Sequence, residues 1–282
     1  MRSEVRNGIP RCWGAVYGAE RRGIVGAPLV GALDGRPETG GRKKEKRRKF
    51  LEKHEIRLGM KLENKNNSGL IPVQITGNVE ISPNVYVISW KRPGEFQSGQ
   101  VIKIAADLQE PPRIYSICSG NKEEELAVLF NVKPAGILTP RLALMRPGDE
   151  IYVSEPYGSF SCDETPAFWI STGTGIAPFY SMIRSGNSKN KILLHGVSFA
   201  NQFYFKEFLT IDMGDRYVRC CSRVKEGDHF PGRVTDYLMG LPELPKAYKY
   251  YLCGQALMVV EVRDLLIQRG VPYSQIFAEI FF

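Results

Sequence analysis

Two glycine-bearing strings stand where a chain could hold phosphate. Residues 172–178 read TGTGIAP, in which Gly173 and Gly175 free the backbone to bring its N–H groups against a pyrophosphate at the N-terminus of the helix that follows. The other reading is a tight turn that needs glycine for positive φ, and the string alone does not separate the two. Residues 136–142, GILTPRL, place the hydroxyl of Thr139 just after a glycine turn and at a helix start, which suits an anion site and an ordinary N-cap equally. RIYS at 113–116 lies in a strand-like run whose alternation sends Arg113 and Tyr115 to one face and Ile114 and Ser116 to the other. A guanidinium for phosphate beside a ring for stacking suits a flavin nucleotide. Cys253, in YLCG at 251–254, would reach the reactive end of a dinucleotide from a strand end, or would be a small buried thiol.

The elements that must position these groups fall into two textures. From about residue 71 to 160 there are short β-branched and aromatic runs, at 73–81, 85–90, 101–104, 113–118, 126–132 and 150–154, with turn signals such as PNV, RPGE and RPGD between them. Strands at that spacing predict a small antiparallel barrel. From Pro166 onward, strands at 168–171, 191–197, 216–222, 248–253 and 275–279 alternate with helices after Pro178, near 201–209, after Arg233 and at 256–269. That alternation predicts a doubly wound parallel sheet of five strands, whose ligands sit at the strands' carboxyl ends.

Composition excludes several classes. The 282 residues carry a net charge of +8, and residues 1–59, with 15 Lys and Arg against 7 Asp and Glu, account for all of it. The rest balances, so the folded body has no field to hold a polyanion. Nucleic-acid binding would rest on the run GRKKEKRRK at 41–49 alone, and would show a steep salt dependence. No apolar run approaches the roughly 18 residues of a membrane span. The six cysteines (Cys12, Cys118, Cys162, Cys220, Cys221, Cys253) form no C-x-x-C pair and follow no secretory signal, which predicts free thiols in the cytoplasm. Residues 1–59 show no period that could bury a face and read as a basic, disordered extension, while Met60 opens a self-sufficient stretch.

RIYS, GILTPRL followed by RPGDEI, TGTGIAPF, YLCG and a terminal AEIFF, in this order from about residue 71 to 282, resemble the ferredoxin/flavodoxin–NADP reductase superfamily, and its bacterial branch in particular. The resemblance implies a β-barrel FAD domain at about 65–160 followed by an α/β NADP domain at about 164–282. Arg113 would pair with the FAD pyrophosphate, Tyr115 would stack on the isoalloxazine and Ser116 would lie near flavin N5. The backbone of Ile117, Cys118 and Ser119 would meet the flavin's polar edge, and Gly136, Leu138 and Thr139 would close over the FAD phosphates. Thr172, Gly173, Thr174 and Gly175 would hold the NADP pyrophosphate, Cys253 would flank the nicotinamide, and Glu279 would join Cys253 and Ser116. Phe281 would cover the second flavin face, where many members carry Tyr. Ser222 and Arg223 resemble the family's Ser-Arg pair for the 2′-phosphate, with Arg233 as a second cation.

A further departure is HGVS at 195–198, with Ser198 where bacterial relatives often show Arg. The implied activity is electron transfer between NADP(H) and ferredoxin or flavodoxin. No C-x4-C-x2-C cluster string is present, so the acceptor is a separate molecule. The alternatives are an NAD(P)H-dependent flavin or oxygenase-component reductase on the same fold, and a non-catalytic flavin-binding subunit, against which Ser116, Cys253 and Glu279 all argue.

Overall fold

The computed structural model describes residues 69–281, the last of them by its backbone; the expected extension at 1–59 lies outside the described residues. Six strands come first: β1 (Ile71–Ser82), β2 (Val85–Lys91), β3 (Val101–Ala105), β4 (Arg113–Ser116), β5 (Glu125–Asn131) and, after helix α1 (Leu138–Leu144), β6 (Glu150–Val153). They pair antiparallel in the order β4-β3-β6-β1-β2-β5. The two ends of the sheet return to each other, because Ile117 bridges Val128 and the Cys118 N–H donates to the Ala127 carbonyl at 2.8 Å. The inward residues of the alternating strands, among them Ile75, Ile88, Trp90, Ile102, Val128 and Ile151, fill the interior, and Leu138 and Leu142 of α1 plug it. Asn78 donates to the carbonyls of Leu142 and Met145, both at 2.8 Å, and so satisfies the end of a helix too short to stand alone.

The second half alternates as the sequence predicts: β7 (Ala167–Thr172), α2 (Ala177–Arg184), β8 (Lys191–Val197), α3 (Lys206–Met213), β9 (Tyr217–Cys221), α4 (Val234–Gly240), β10 (Lys249–Gln255), α5 (Ala256–Gln268) and β11 (Ile276–Phe281). All five strands are parallel, in the order β11-β10-β7-β8-β9. One face carries Trp169, Leu193, Tyr217 and Tyr251 against α2 and α3. The other carries Phe168, Leu194, Val218 and Tyr250 against α4 and α5. The winding reverses between β7 and β10, which opens a crevice at their carboxyl ends.

One local expectation differs. The helix expected near 201–209 is a 3-10 turn at Ala200–Gln202, a break, and then α3. Gln202 Oε1 accepts the N–H groups of Ser198 and Phe199, which ties off the first turn. Phe205 then takes a left-handed φ of 61° and lays its ring on Tyr180 of α2, centroids 3.8 Å apart and planes within 2°. The stack offsets the roughly 1 kcal/mol that a left-handed residue costs.

The halves share a core. Val85, Cys118 and Leu129 of the barrel belong to the same buried cluster as Trp169, Phe179 and Met182. Along α2 the Ser181 hydroxyl donates to the Ser119 carbonyl at 2.7 Å, Ser185 Oγ accepts the Asn121 N–H at 3.0 Å, and Arg184 pairs with Glu123 at 2.8 Å. Lys191, 1% exposed, donates to the carbonyls of Asp163 and Thr165, both at 2.8 Å, which pins the connecting segment under the parallel sheet.

Candidate functional site

The site lies where β4 of the barrel faces the carboxyl ends of β7, β10 and β11. Parallel register sets Glu279 of β11 beside Cys253 of β10, and Cys253 beside Ser171 of β7. Ser116, the last residue of β4, is 2% exposed and donates its hydroxyl to Glu279 Oε2 at 2.9 Å. Cys253 Sγ, fully buried, lies 3.9 Å from the same oxygen. Three residues far apart in sequence thus meet at one carboxyl oxygen, as the resemblance implies. Burial pushes the Glu279 carboxyl up to about 7, while the hydrogen bonds from Ser116 and Cys253 act against the rise. Burial, reinforced by Glu279, drives the Cys253 thiol far above its ordinary range, so it stands neutral.

Tyr157 belongs to this group, and the sequence reading missed it. Its backbone bridges Val101 of β3, and both burial and the nearby Glu279 charge raise its hydroxyl. The sequence signal was the Pro-Tyr-Gly string at 156–158, a turn placed between the two textures.

Above the parallel sheet, the 3-10 turn Gly173–Ile176 leads from β7 into α2, with Pro178 in the helix's first turn. Gly173 has φ +55°, and a Cβ there would meet nothing within 4 Å. Gly175 is glycine for space: a Cβ would lie 2.3 Å from the Cys253 carbonyl oxygen. Gly254, at φ +141°, would set its Cβ 2.5 Å from Thr172 Oγ1. The turn is therefore pressed onto the end of β10. Thr172 Oγ1 is buried with no hydrogen-bond partner among the described residues. An unsatisfied hydroxyl beside the leading N–H groups of a helical turn is the donor set an anionic pyrophosphate needs, so the residues present fit a dinucleotide.

On the barrel side, Arg113 is exposed and Tyr115 is half-buried, its ring edge-on to Phe130 at 6.4 Å. Burial raises the Tyr115 hydroxyl to about 12, against the pull of Arg113. This leaves a cation and a neutral ring on one strand, with exposed Ile114 between them, which fits a flavin nucleotide. The side chains of Ile117 and Cys118 are in the core, and their N–H groups are taken by Gln100 and Ala127. Ser119 accepts the Ala127 N–H on its hydroxyl. Thr139 does not cap α1; its hydroxyl accepts the Lys133 N–H at 2.9 Å and closes the loop that holds Gly136. Leu138 is buried in the barrel core, so any contact it makes with a ligand is through its backbone.

At the other end of the crevice, the Ser222 hydroxyl donates to the Val197 carbonyl at 3.3 Å, and the Arg223 guanidinium lies over the exposed Phe199 ring, 5.5 Å from its centroid. Arg233 is exposed and turned toward Glu261 of α5 at 4.0 Å. The backbone of Phe281 pairs with Gln255, while its ring lies outside the described part of the chain.

The family described as Oxidoreductase NAD-binding domain matches residues 169–264. The chain is 30% identical over 210 residues to the ferredoxin–NADP reductase of Azotobacter vinelandii, covering 64% of this chain and 81% of that one. It is 28% identical over 207 residues to the reductase component of propane 2-monooxygenase of Mycolicibacterium goodii, covering 66% and 59%. Its fold matches a ferredoxin NADP+ reductase from Neisseria gonorrhoeae, solved with bound FAD and NADP, at a TM-score of 0.67 and 21% identity over 76% of this chain and 99% of that one. With the barrel, the switch-point crevice and the Ser116, Cys253 and Glu279 cluster in place, the chain belongs to the ferredoxin–NADP reductase family of flavin-linked NAD(P)H oxidoreductases.

Proposed function

We propose that this chain is a ferredoxin- or flavodoxin–NADP(+) reductase, with FAD held by residues 65–160 and NADP(H) by residues 164–282. The observation that carries this reading is the meeting of Ser116, Cys253 and Glu279 at one carboxyl oxygen between the two halves. FAD, when bound, supplies the conversion of a two-electron donor into one-electron steps. The chain's own residues bind, orient and handle protons. Arg113 offers charge to the flavin's phosphates, Tyr115 a face for its ring, and Gly136, Leu138 and Thr139 a closed loop beside them. Thr172, Gly173, Thr174 and Gly175 offer a hydroxyl and backbone N–H groups to the second nucleotide's pyrophosphate. The Glu279 carboxyl, poised to gain or lose a proton near neutrality, accepts the Ser116 hydroxyl at Oε2, and the neutral Cys253 thiol packs beside it without competing charge. Phe281 would cover the far flavin face.

NADP rather than NAD rests on Arg223, whose guanidinium has no carboxylate partner among the described residues, with Ser222 beside it and Arg233 as a second cation. Arg223→Ala is expected to raise the KM for NADPH at least about tenfold more than that for NADH, since a charge-assisted contact to a phosphate contributes about 1.5–3 kcal/mol. Equal effects on both nucleotides in steady-state assays would remove the assignment.

A reducing, cytoplasmic setting is supported by the cysteines among the described residues, all five of them free, and no described helix is long and apolar enough to cross a membrane. The test of the whole reading is anaerobic titration of the purified protein: its flavin bands should bleach with NADPH much faster than with NADH. Reoxidation by added ferredoxin or flavodoxin, and not by free flavin alone, separates this function from that of a flavin reductase or an oxygenase component.

A further inference from the structure

An exposed ring stands at the end of the crevice away from Cys253. Phe199 follows the last residue of β8 by two positions and is 44% exposed. Its backbone is fixed from two sides. Gln202 Oε1 accepts the N–H groups of Ser198 and Phe199, at 3.2 and 3.1 Å. The Ser222 N–H donates to the Val197 carbonyl at 3.0 Å and the Arg223 N–H to the Ser198 carbonyl at 3.1 Å, which carries the pairing of β8 with β9 past the ends of both strands. A lone exposed ring is ordinary on a protein surface. This one lies under a guanidinium, since Arg223 is centred 5.5 Å from the middle of the ring. The neighbouring rings belong to the core: Phe203 is 6% exposed, and Phe230 meets Tyr237 edge-on at 5.4 Å.

The order of strands gives this ring a use. The carboxyl ends run β11-β10-β7-β8-β9 across the sheet, with neighbours about 5 Å apart. Glu279 and Cys253 stand on the first two strands, the Gly173–Ile176 turn follows the third, Phe199 the fourth and Arg223 the fifth. A dinucleotide with its reactive ring beside Cys253 and its pyrophosphate on the turn therefore has its second nucleoside over the ends of β8 and β9. The groups waiting there are a flat apolar face, a cation and the Ser222 hydroxyl. A nucleobase stacks on an aromatic face, and a guanidinium pairs with a phosphate.

We propose that Phe199 is the stacking platform for the adenine ring of the bound nicotinamide dinucleotide: its face takes the base of NAD(H) and NADP(H) alike, while Arg223 acts only on the 2′-phosphate. The proposal rests on the reading of this crevice as a dinucleotide site, and its test separates the two. Calorimetric titration of the FAD-loaded protein with NADP+, NAD+ and 2′-AMP, all of which carry adenine, reads binding without turnover. Phe199→Ala should weaken all three by about tenfold, the low end of what removing a ring from under a base costs. Phe199→Trp, which keeps a ring, should stay within about twofold of the wild type. Arg223→Ala should weaken NADP+ and 2′-AMP and leave NAD+ within about twofold. A Phe199→Ala loss confined to NADP+ and 2′-AMP would mean that the ring only props the guanidinium, and would overturn the platform. Unchanged binding of all three ligands in Phe199→Ala, or an equal loss in Phe199→Trp, would overturn it too. A wild type that binds none of the three would instead overturn the reading of the crevice as a dinucleotide site, and the proposal with it.

Discussion

Gly175→Ala is expected to abolish useful NADP(H) binding while leaving the flavin in place. The added Cβ would lie 2.3 Å from the Cys253 carbonyl oxygen, 2.7 Å from its carbon and 2.7 Å from Gly254 Cα. All three are backbone atoms, and none can rotate away. Either the turn lifts from β10 or the end of β10 moves, and both displace the group formed by Thr172, Cys253 and Glu279. Overpacking against backbone costs about 3 kcal/mol, and the same displacement should lower NADP+ affinity by at least about 100-fold. The barrel interior is a separate cluster that does not include this turn, so FAD content should hold. Gly173→Ala is the control: a Cβ there meets open space, and only the strain of φ +55° is added, about 1 kcal/mol. Titration with NADP+ and thermal unfolding of both variants check the ranking. Similar losses at the two positions would show that the turn is not pressed onto β10 as described.

The sequence was informative where the physics is local. Strand runs with period two, the change of texture near Pro166 and the glycine strings are written in neighbouring residues, and the order of strands and helices follows from them. Ser116, Cys253 and Glu279 could be named together only through the family resemblance, because their meeting depends on parallel register and on how the barrel docks. Reasoning from local signals failed where a distant partner decides. Phe205 breaks a helical pattern because Tyr180 offers a ring to stack on. Thr139 has the position of an N-cap, yet its hydroxyl is taken by Lys133. Lys191 opens the strand expected at 191–197 and is 1% exposed, because two carbonyls of the connecting segment stand 2.8 Å from its ammonium, a partnership no neighbouring residue announces. Gly175 and Gly173 look alike in the string, and only the packing shows that one is glycine for space and the other for conformation.

The second large effect concerns protons. Glu279 is an acid whose carboxyl, titrating ordinarily near 4.5, is raised by burial to about 7 in the folded chain. Between those values the folded state binds a proton that the unfolded state has released. The stability contributed is present in full below about 4.5 and is lost as pH rises through about 7. A shift of this size corresponds to on the order of 3 kcal/mol across that window. Glu279→Gln keeps the shape and accepts the Ser116 hydrogen bond without titrating. It should match the wild type near pH 5 and exceed it in stability by about that amount near pH 8. Ser116→Ala removes the hydroxyl that acts to lower the carboxyl's ionisation, and should move the midpoint of the wild-type slope above 7. The same group serves the proposed function, since a carboxyl poised near neutrality can take up a proton from the crevice and release it there as the local charge changes, while the Ser116 hydroxyl donates to Oε2 and holds it in place. The pH dependence of NADPH turnover should therefore show an ionisation near 7 in the wild type that is absent in Glu279→Gln. Denaturant unfolding across pH 5–8, with turnover measured over the same range, reads both consequences. Wild-type and Glu279→Gln profiles that superimpose would mean that this carboxyl is ionised throughout, and that the proton relay assigned to Oε2 is wrong.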